Sequence, residues 1–144
     1  MMCMALGSHV PEWLGLQLEL LKLEYACSAQ LVAVISTGNV LWCASRTDRQ
    51  VDGLCNAFYR THIAPRRRSL QRGGLADIVV RDGEDVCVAR SFAAIYVLVV
   101  WISGAFDPAI RGMIREAIPR IEILTINLPP PSPEPAEGAG KSRA

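Results

Sequence analysis

The ten residues Ala94 to Ser103, AIYVLVVWIS, constrain this chain more than any other stretch. The run is too short to cross a bilayer, which takes about 20 apolar residues, and its β-branched and aromatic content favours a strand. Because it is apolar on both faces, it needs cover on both faces. It therefore belongs at the centre of a sheet with packing above and below. The rest of the chain has to provide neighbouring strands and that cover.

Four further runs read as strands. Gln30 to Ser36 (QLVAVIS) and Val40 to Ser45 (VLWCAS) flank Thr37-Gly38-Asn39, where Gly and Asn accept positive φ cheaply, so they form a hairpin. Ala76 to Arg81 (ADIVVR) and Asp85 to Ser91 (DVCVARS) meet across Asp82-Gly83, a second hairpin signature. Gly104 closes the central strand.

Three helices are expected around this sheet. In the first, Pro11 to Cys27, two stripes run side by side: Leu14, Leu18, Leu21 and Tyr25, and Trp13, Leu16, Leu20 and Leu23. Together they give an apolar face wider than one sheet needs. Asp52 is the expected N-cap of a second helix through Leu54, Cys55, Phe58, Tyr59 and His62, which must stop or kink by Pro65. An arginine-rich loop and Gly73-Gly74 then lead to the third strand. Asp107-Pro108 opens the last helix, whose apolar face (Ile110, Met113, Ile114, Ala117, Ile121, Leu124) runs on to Leu128. Pro119 lies inside it and is expected to kink it, at roughly 3 kcal/mol of local helix stability.

The fold class is therefore α+β: a five-stranded antiparallel sheet with flanking helices, in the order helix-strand-strand-helix-strand-strand-strand-helix. Residues 1–10 read as a flexible N-terminus and 11–128 as one domain. Residues 129–144 read as a disordered proline-rich tail, because PPPSPEPAEGAGKSRA contains no core-forming side chain. A 144-residue chain with 51% hydrophobic residues buries roughly 70% of its unfolded surface, enough for a core without metal or disulfide staples.

Chemistry is scarce. A net charge of +1 argues against binding nucleic acid by wholesale phosphate neutralisation. Five widely spaced cysteines with no CxxC pair read as reduced thiols, which together with the absence of a signal-peptide pattern suggests a cytoplasmic protein. The terminal GAGKS is not a phosphate loop, since Pro135 stands where the first glycine belongs and no strand precedes it. His9 and His62 have no second ligand at metal spacing. Cys55 and His62 are seven residues apart on one helix, about 10 Å, too far for a nucleophile–base pair. Asp82, Glu84 and Asp85 cluster at a turn, where solvation explains them. No catalytic residue, cofactor or metal is assigned. Arg60, Arg66, Arg67, Arg68 and Arg72 are the one strong charge concentration; they form either a solvated loop or a docking patch for an acidic partner. An interaction module fits these residues better than an enzyme.

In this order the elements resemble the Roadblock/dynein light chain domain. LVAVISTGNVLWCAS is similar to that family's opening hairpin, and DVCVARSFAAIYVLVVWISGAFDPAIRGMIREAI to its fourth strand, long central strand and closing helix. The likeness spans about residues 11–128. Ser36-Thr37 stands where many members carry an aspartate, the arginine-rich segment is unusual, and Pro119 interrupts the last helix. The resemblance implies a non-catalytic homodimer, or a heterodimer with a related Roadblock-like chain. It also implies binding to a Ras-like small GTPase or a dynein-type assembly; bacterial members regulate polarity GTPases, some as dimeric GTPase-activating proteins. On that reading Cys55, Tyr59, Ile78 and Val80 form the dimer interface, since ADIVVR is a proline-free edge strand. Arg66, Arg67 and Arg68 dock the partner. The alternative function is a small-molecule sensor of the PAS or GAF kind, which has comparable sheet and helix content.

Overall fold

The computed structural model describes residues 11–38, 42–74, 77–104 and 107–126. Its centre is β5 (Tyr96–Ser103), which takes up most of the long apolar run. It lies third in a five-stranded antiparallel sheet of order β2-β1-β5-β4-β3, built from β1 (Leu31–Ser36), β2 (Trp42–Ala44), β3 (Asp77–Asp82) and β4 (Asp85–Phe92). Both faces of β5 are covered, as its composition requires. Leu98, Val100 and Ile102 join one core with Val32, Val34, Val86 and Val88. Val97, Val99 and Trp101 join the other with Leu31, Ala33, Ile35, Cys87 and Ala89. Each fully buried large side chain of this kind contributes about 1.5–3 kcal/mol.

The sheet register follows the two hairpins. Ile35 is opposite Trp42 and Ala33 opposite Ala44; Asp82 is opposite Asp85, with Gly83 at φ +64° in the turn. Asn39 and Val40 of the first hairpin, Ala76 of the third strand and Leu128 of the last helix lie outside the described residues, as do both terminal segments. β5 begins two residues later than expected because Ala93 and Ala94 both take left-handed backbone (φ 57° and 63°) to turn the chain out of β4. Two L-residues in succession in that region are costly. The turn is held from outside: the Thr37 N–H donates to the Ile95 carbonyl at 2.9 Å and its hydroxyl to the Ala94 carbonyl at 3.3 Å.

One face of the sheet carries α1 (Pro11–Cys27) and α4 (Ala109–Ile126). They run antiparallel and close together: a Cβ on Gly15 would lie 3.1 Å from Leu124 Cδ2, and Arg120 Nε donates to Glu19 Oε1 at 3.1 Å. Only one of the two α1 stripes is buried. Leu16, Leu20 and Leu23 are in the core and Trp13 packs against it, whereas Leu14, Leu18, Leu21 and Tyr25 are exposed. The wide apolar face expected from the sequence is thus two opposed faces, of which the sheet uses one. In α4 the Asp107 carboxylate accepts from the Ala109 N–H at 2.9 Å, fixing the predicted start. The helix continues through Pro119 to Ile126. Pro119 is exposed, so the Arg115 carbonyl freed by the missing N–H can be solvated.

The other face carries α2 (Arg49–Phe58), and here the expected cap is corrected. Asp48, not Asp52, is the N-cap, its side chain accepting from the Val51 N–H at 3.1 Å and pairing with Arg46. Asp52 sits in the first turn, where its charge complements the helix dipole. The second correction concerns the segment after α2. Instead of forming a loop, the chain keeps turning through a π segment (Tyr59–Ile63), a 3-10 turn (Ala64–Arg66) and α3 (Arg67–Gln71). Pro65 falls near the start of the 3-10 turn, a position that tolerates a missing N–H.

Candidate protein-interaction surface

The arginines are presented by a short helix with a definite anchor. α3 has five residues, too few to be stable alone. Leu70, 2% exposed, and Ile63, 1% exposed, hold it to the α2-side core. Its C-terminus is closed by Gly73 (φ +91°) and Gly74, whose N–H groups donate to the Leu70 and Ser69 carbonyls at 3.1 and 2.8 Å. A Cβ on Gly74 would come within 2.7 Å of the Ser69 carbonyl oxygen, so only glycine fits there. With Leu70 facing inward, Arg66, Arg67, Arg68 and Arg72 are all exposed, as is Arg60 on the π segment. Arg66 Nη1 donates to the His62 carbonyl at 2.8 Å. None of the ion pairs among the described residues involves these five arginines.

After this basic segment the chain enters an outer strand. β3 pairs with β4 on one side only, leaving its other backbone edge unpaired among the described strands. Ile78 and Val80 point to the α2 side, where they and Tyr59 pack half-buried against the core. The strand is fixed at its start by Asp77, which accepts from Arg90 Nη1 at 2.9 Å and Arg111 Nη2 at 3.0 Å, tying it to β4 and α4. Between α2, the π segment and strands β3, β4 and β5 runs a cleft of about 350 Å³ lined by Leu54, Phe58, His62, Val80, Arg81 and Trp101 among others. Aromatic contacts form its floor: Phe58 meets Trp101 edge-on at 5.9 Å and His62 at 4.8 Å.

Of the residues assigned to pairing from the sequence, Tyr59, Ile78 and Val80 share this surface. Cys55 does not reach it. It is 0% exposed, and burial first, then the Asp52 charge, pushes its thiol up to about 12. It supports the surface from below and is not poised as a nucleophile. The sequence reading missed the π segment and the cleft aromatics Phe58, His62 and Trp101 as a group. Trp101 and Phe58 are 43 residues apart in sequence and meet only through the sheet. Among the described residues no cluster of three or more His, Cys, Asp or Glu could hold a metal ion, and no helix is long and apolar enough to cross a membrane.

No family model matches the chain, and no curated protein matches it. Solved structures do. Myxococcus xanthus MglB is similar with a TM-score of 0.61 at 14% identity, over 78% of this chain and 96% of its own. Myxococcus xanthus MglC is similar with a TM-score of 0.55 at 15% identity, over 76% of this chain and 98% of its own. At such identities the likeness is one of fold. The architecture is the Roadblock-like one that the order of elements suggested.

Proposed function

We propose that this Roadblock-like chain is a non-catalytic dimeric regulator of a Ras-like small GTPase. Two observations carry the proposal: a proline-free edge strand, β3, unpaired on one side among the described strands, and, just before it in the chain, an anchored helix whose arginines make no ion pair among the described residues. Edge strands of this kind pair readily with a second chain. A second copy, or a related Roadblock-like chain, would continue the sheet at β3 and seat its own α2 beside Tyr59, Ile78 and Val80, with Cys55 beneath. The cytoplasmic setting expected from the cysteines belongs to the same reading.

Arg66, Arg67 and Arg68 then offer the dimer a cationic surface for an acidic partner. Such a surface raises association rate and fixes orientation more than it raises affinity, and salt weakens it. The regulator would alter GTP turnover by binding one nucleotide state of the GTPase more tightly than the other. An arginine supplied in trans could also stabilise the transferring phosphoryl group.

Light scattering on the purified chain at tens of micromolar tests pairing: a dimer is expected, and Ile78→Lys plus Tyr59→Glu should give a monomer. Titration against GTP-loaded small GTPases at low and high salt tests docking. Arg66→Glu plus Arg68→Glu should weaken binding about 3–30-fold at low salt and much less at high salt, with dimerisation intact. Equal low-salt affinities would remove the arginines from the binding surface. Hydrolysis of GTP by the isolated protein would overturn the non-enzyme reading.

A further inference from the structure

The outward face of α1 carries a second apolar seam that the sheet does not use. Leu14 is 48% exposed, Leu18 58%, Leu21 40% and Tyr25 89%. Their spacing of four, three and four residues places them in one line along the helix, the narrow two-in-seven seam by which helices pair. The seam lies on the opposite side of the sheet from α2 and the helix that carries the arginines. Ile123 and Ile126 on the neighbouring α4 are also exposed, at 63% and 73%. The four α1 side chains amount to roughly 400 Å² of accessible surface, the size of the largest apolar patch on a typical monomer, which is often a functional one.

We infer that this seam is a second, reversible self-association surface, occupied by α1 of another copy running antiparallel. A spacing of four, three and four is the same read in either direction, as an isologous contact requires. Leu18 then meets Leu21 of the second copy, Leu14 meets its Tyr25, and the two reciprocal contacts arise by symmetry. The charge beside the seam permits this. Glu19 accepts from both Lys22 and Arg120 at 3.4 and 3.1 Å, so these two cations share a carboxylate and oppose a like copy only weakly.

The area decides how strong the contact is. Two such seams bury about 800 Å² in total, below the 1,200–2,000 Å² of a stable interface. The contact is therefore weak between single chains and gains strength when chains are already joined elsewhere. A chain with one isologous contact at β3 and another at α1 assembles beyond the dimer, because the two surfaces share no residues.

Sedimentation of the full chain from about 5 to 300 μM tests this, using wild type, Leu18→Glu plus Leu21→Glu, and Ile78→Lys plus Tyr59→Glu. Wild type should show a concentration-dependent doubling above its smallest species, which the α1 variant loses at an unchanged melting temperature. The β3 variant should keep a monomer–dimer step of its own, so failure of the seam and failure of the edge-strand reading appear in different samples. Orientation is read by oxidising Leu18→Cys and Leu21→Cys chains separately and mixed. A crosslink strongest in the mixture supports the antiparallel pair, and one equally strong with Leu18→Cys alone overturns it. Absence of the doubling up to 300 μM, or its survival in Leu18→Glu plus Leu21→Glu, also overturns the inference.

Discussion

Replacing Leu70 with alanine separates the anchoring of the arginine helix from the charge it carries. The substitution removes three carbon atoms from a side chain that is 2% exposed. At roughly 0.8 kcal/mol for each buried carbon the transfer loss is about 2.4 kcal/mol, and incomplete collapse around the gap raises it to about 3 kcal/mol. For a chain of this length that corresponds to a melting temperature lower by about 9 °C, if α3 remains docked until the whole domain unfolds. If α3 detaches first, the global loss is smaller and the cost appears locally. Calorimetry with amide hydrogen exchange distinguishes the two, because local detachment leaves the melting temperature nearly unchanged while the amides of residues 67–74 lose protection. Either result fits Leu70 as the anchor. A melting temperature within 2 °C of wild type together with unchanged exchange over those amides would refute the reasoning. In the docking assay, Leu70→Ala should weaken GTPase binding although every arginine is still present.

Three further predictions rest on single groups or segments. Burial alone would raise the Glu19 carboxyl, but hydrogen bonds from Arg120 and Lys22 override it and hold the group below the ordinary carboxylate range. Its stabilisation is therefore complete above the unfolded value and is lost as pH falls through the lower folded one. Glu19→Gln should cost about 0.5 kcal/mol at pH 7 and flatten the fall in melting temperature between pH 5 and pH 3; an unchanged slope would exclude Glu19 as a source of acid lability. Cys55, raised to about 12, should resist alkylation at pH 8 until the domain unfolds, and rapid labelling in the native state would contradict its burial. Deleting residues 129–144, of which seven are Pro or Gly, should move the melting temperature by no more than about 2 °C, and a loss of 10 °C would show that the tail packs.

The elements were legible where one local cause determines them. β5 came from an uninterrupted apolar run, the β3–β4 turn from Asp82-Gly83, and the start of α4 from Asp107-Pro108. The residues that went astray depend on competition between neighbours. Asp48 and Asp52 are both acceptable caps, and the choice falls to Asp48 because starting there turns Val51, Cys55 and Phe58 together onto the sheet. The two α1 stripes are equally hydrophobic, so composition does not say which one faces the sheet; the close approach of Leu124 at Gly15 settles it. The arginine segment reads as a loop because proline and consecutive charges dominate it, whereas its helical path depends on Leu70 and Ile63 finding a distant core. The surface around β3 was legible only as an edge, since its aromatic floor is assembled from α2 and β5.

The turn at Ala93–Ala94 has a consequence for how the chain reaches this structure. An ordinary β-hairpin closes on local information within microseconds and can serve as a seed for folding. Here the residues between β4 and β5 resist the shape they must adopt, and the groups that hold it come from Thr37, 57 residues earlier in the chain. The turn between β4 and β5 therefore gains its outside hydrogen bonds only when β1 lies on the other side of the central strand. That contact closes a 57-residue loop, so it adds a long-range encounter to the completion of a strand pair that an ordinary turn would complete locally.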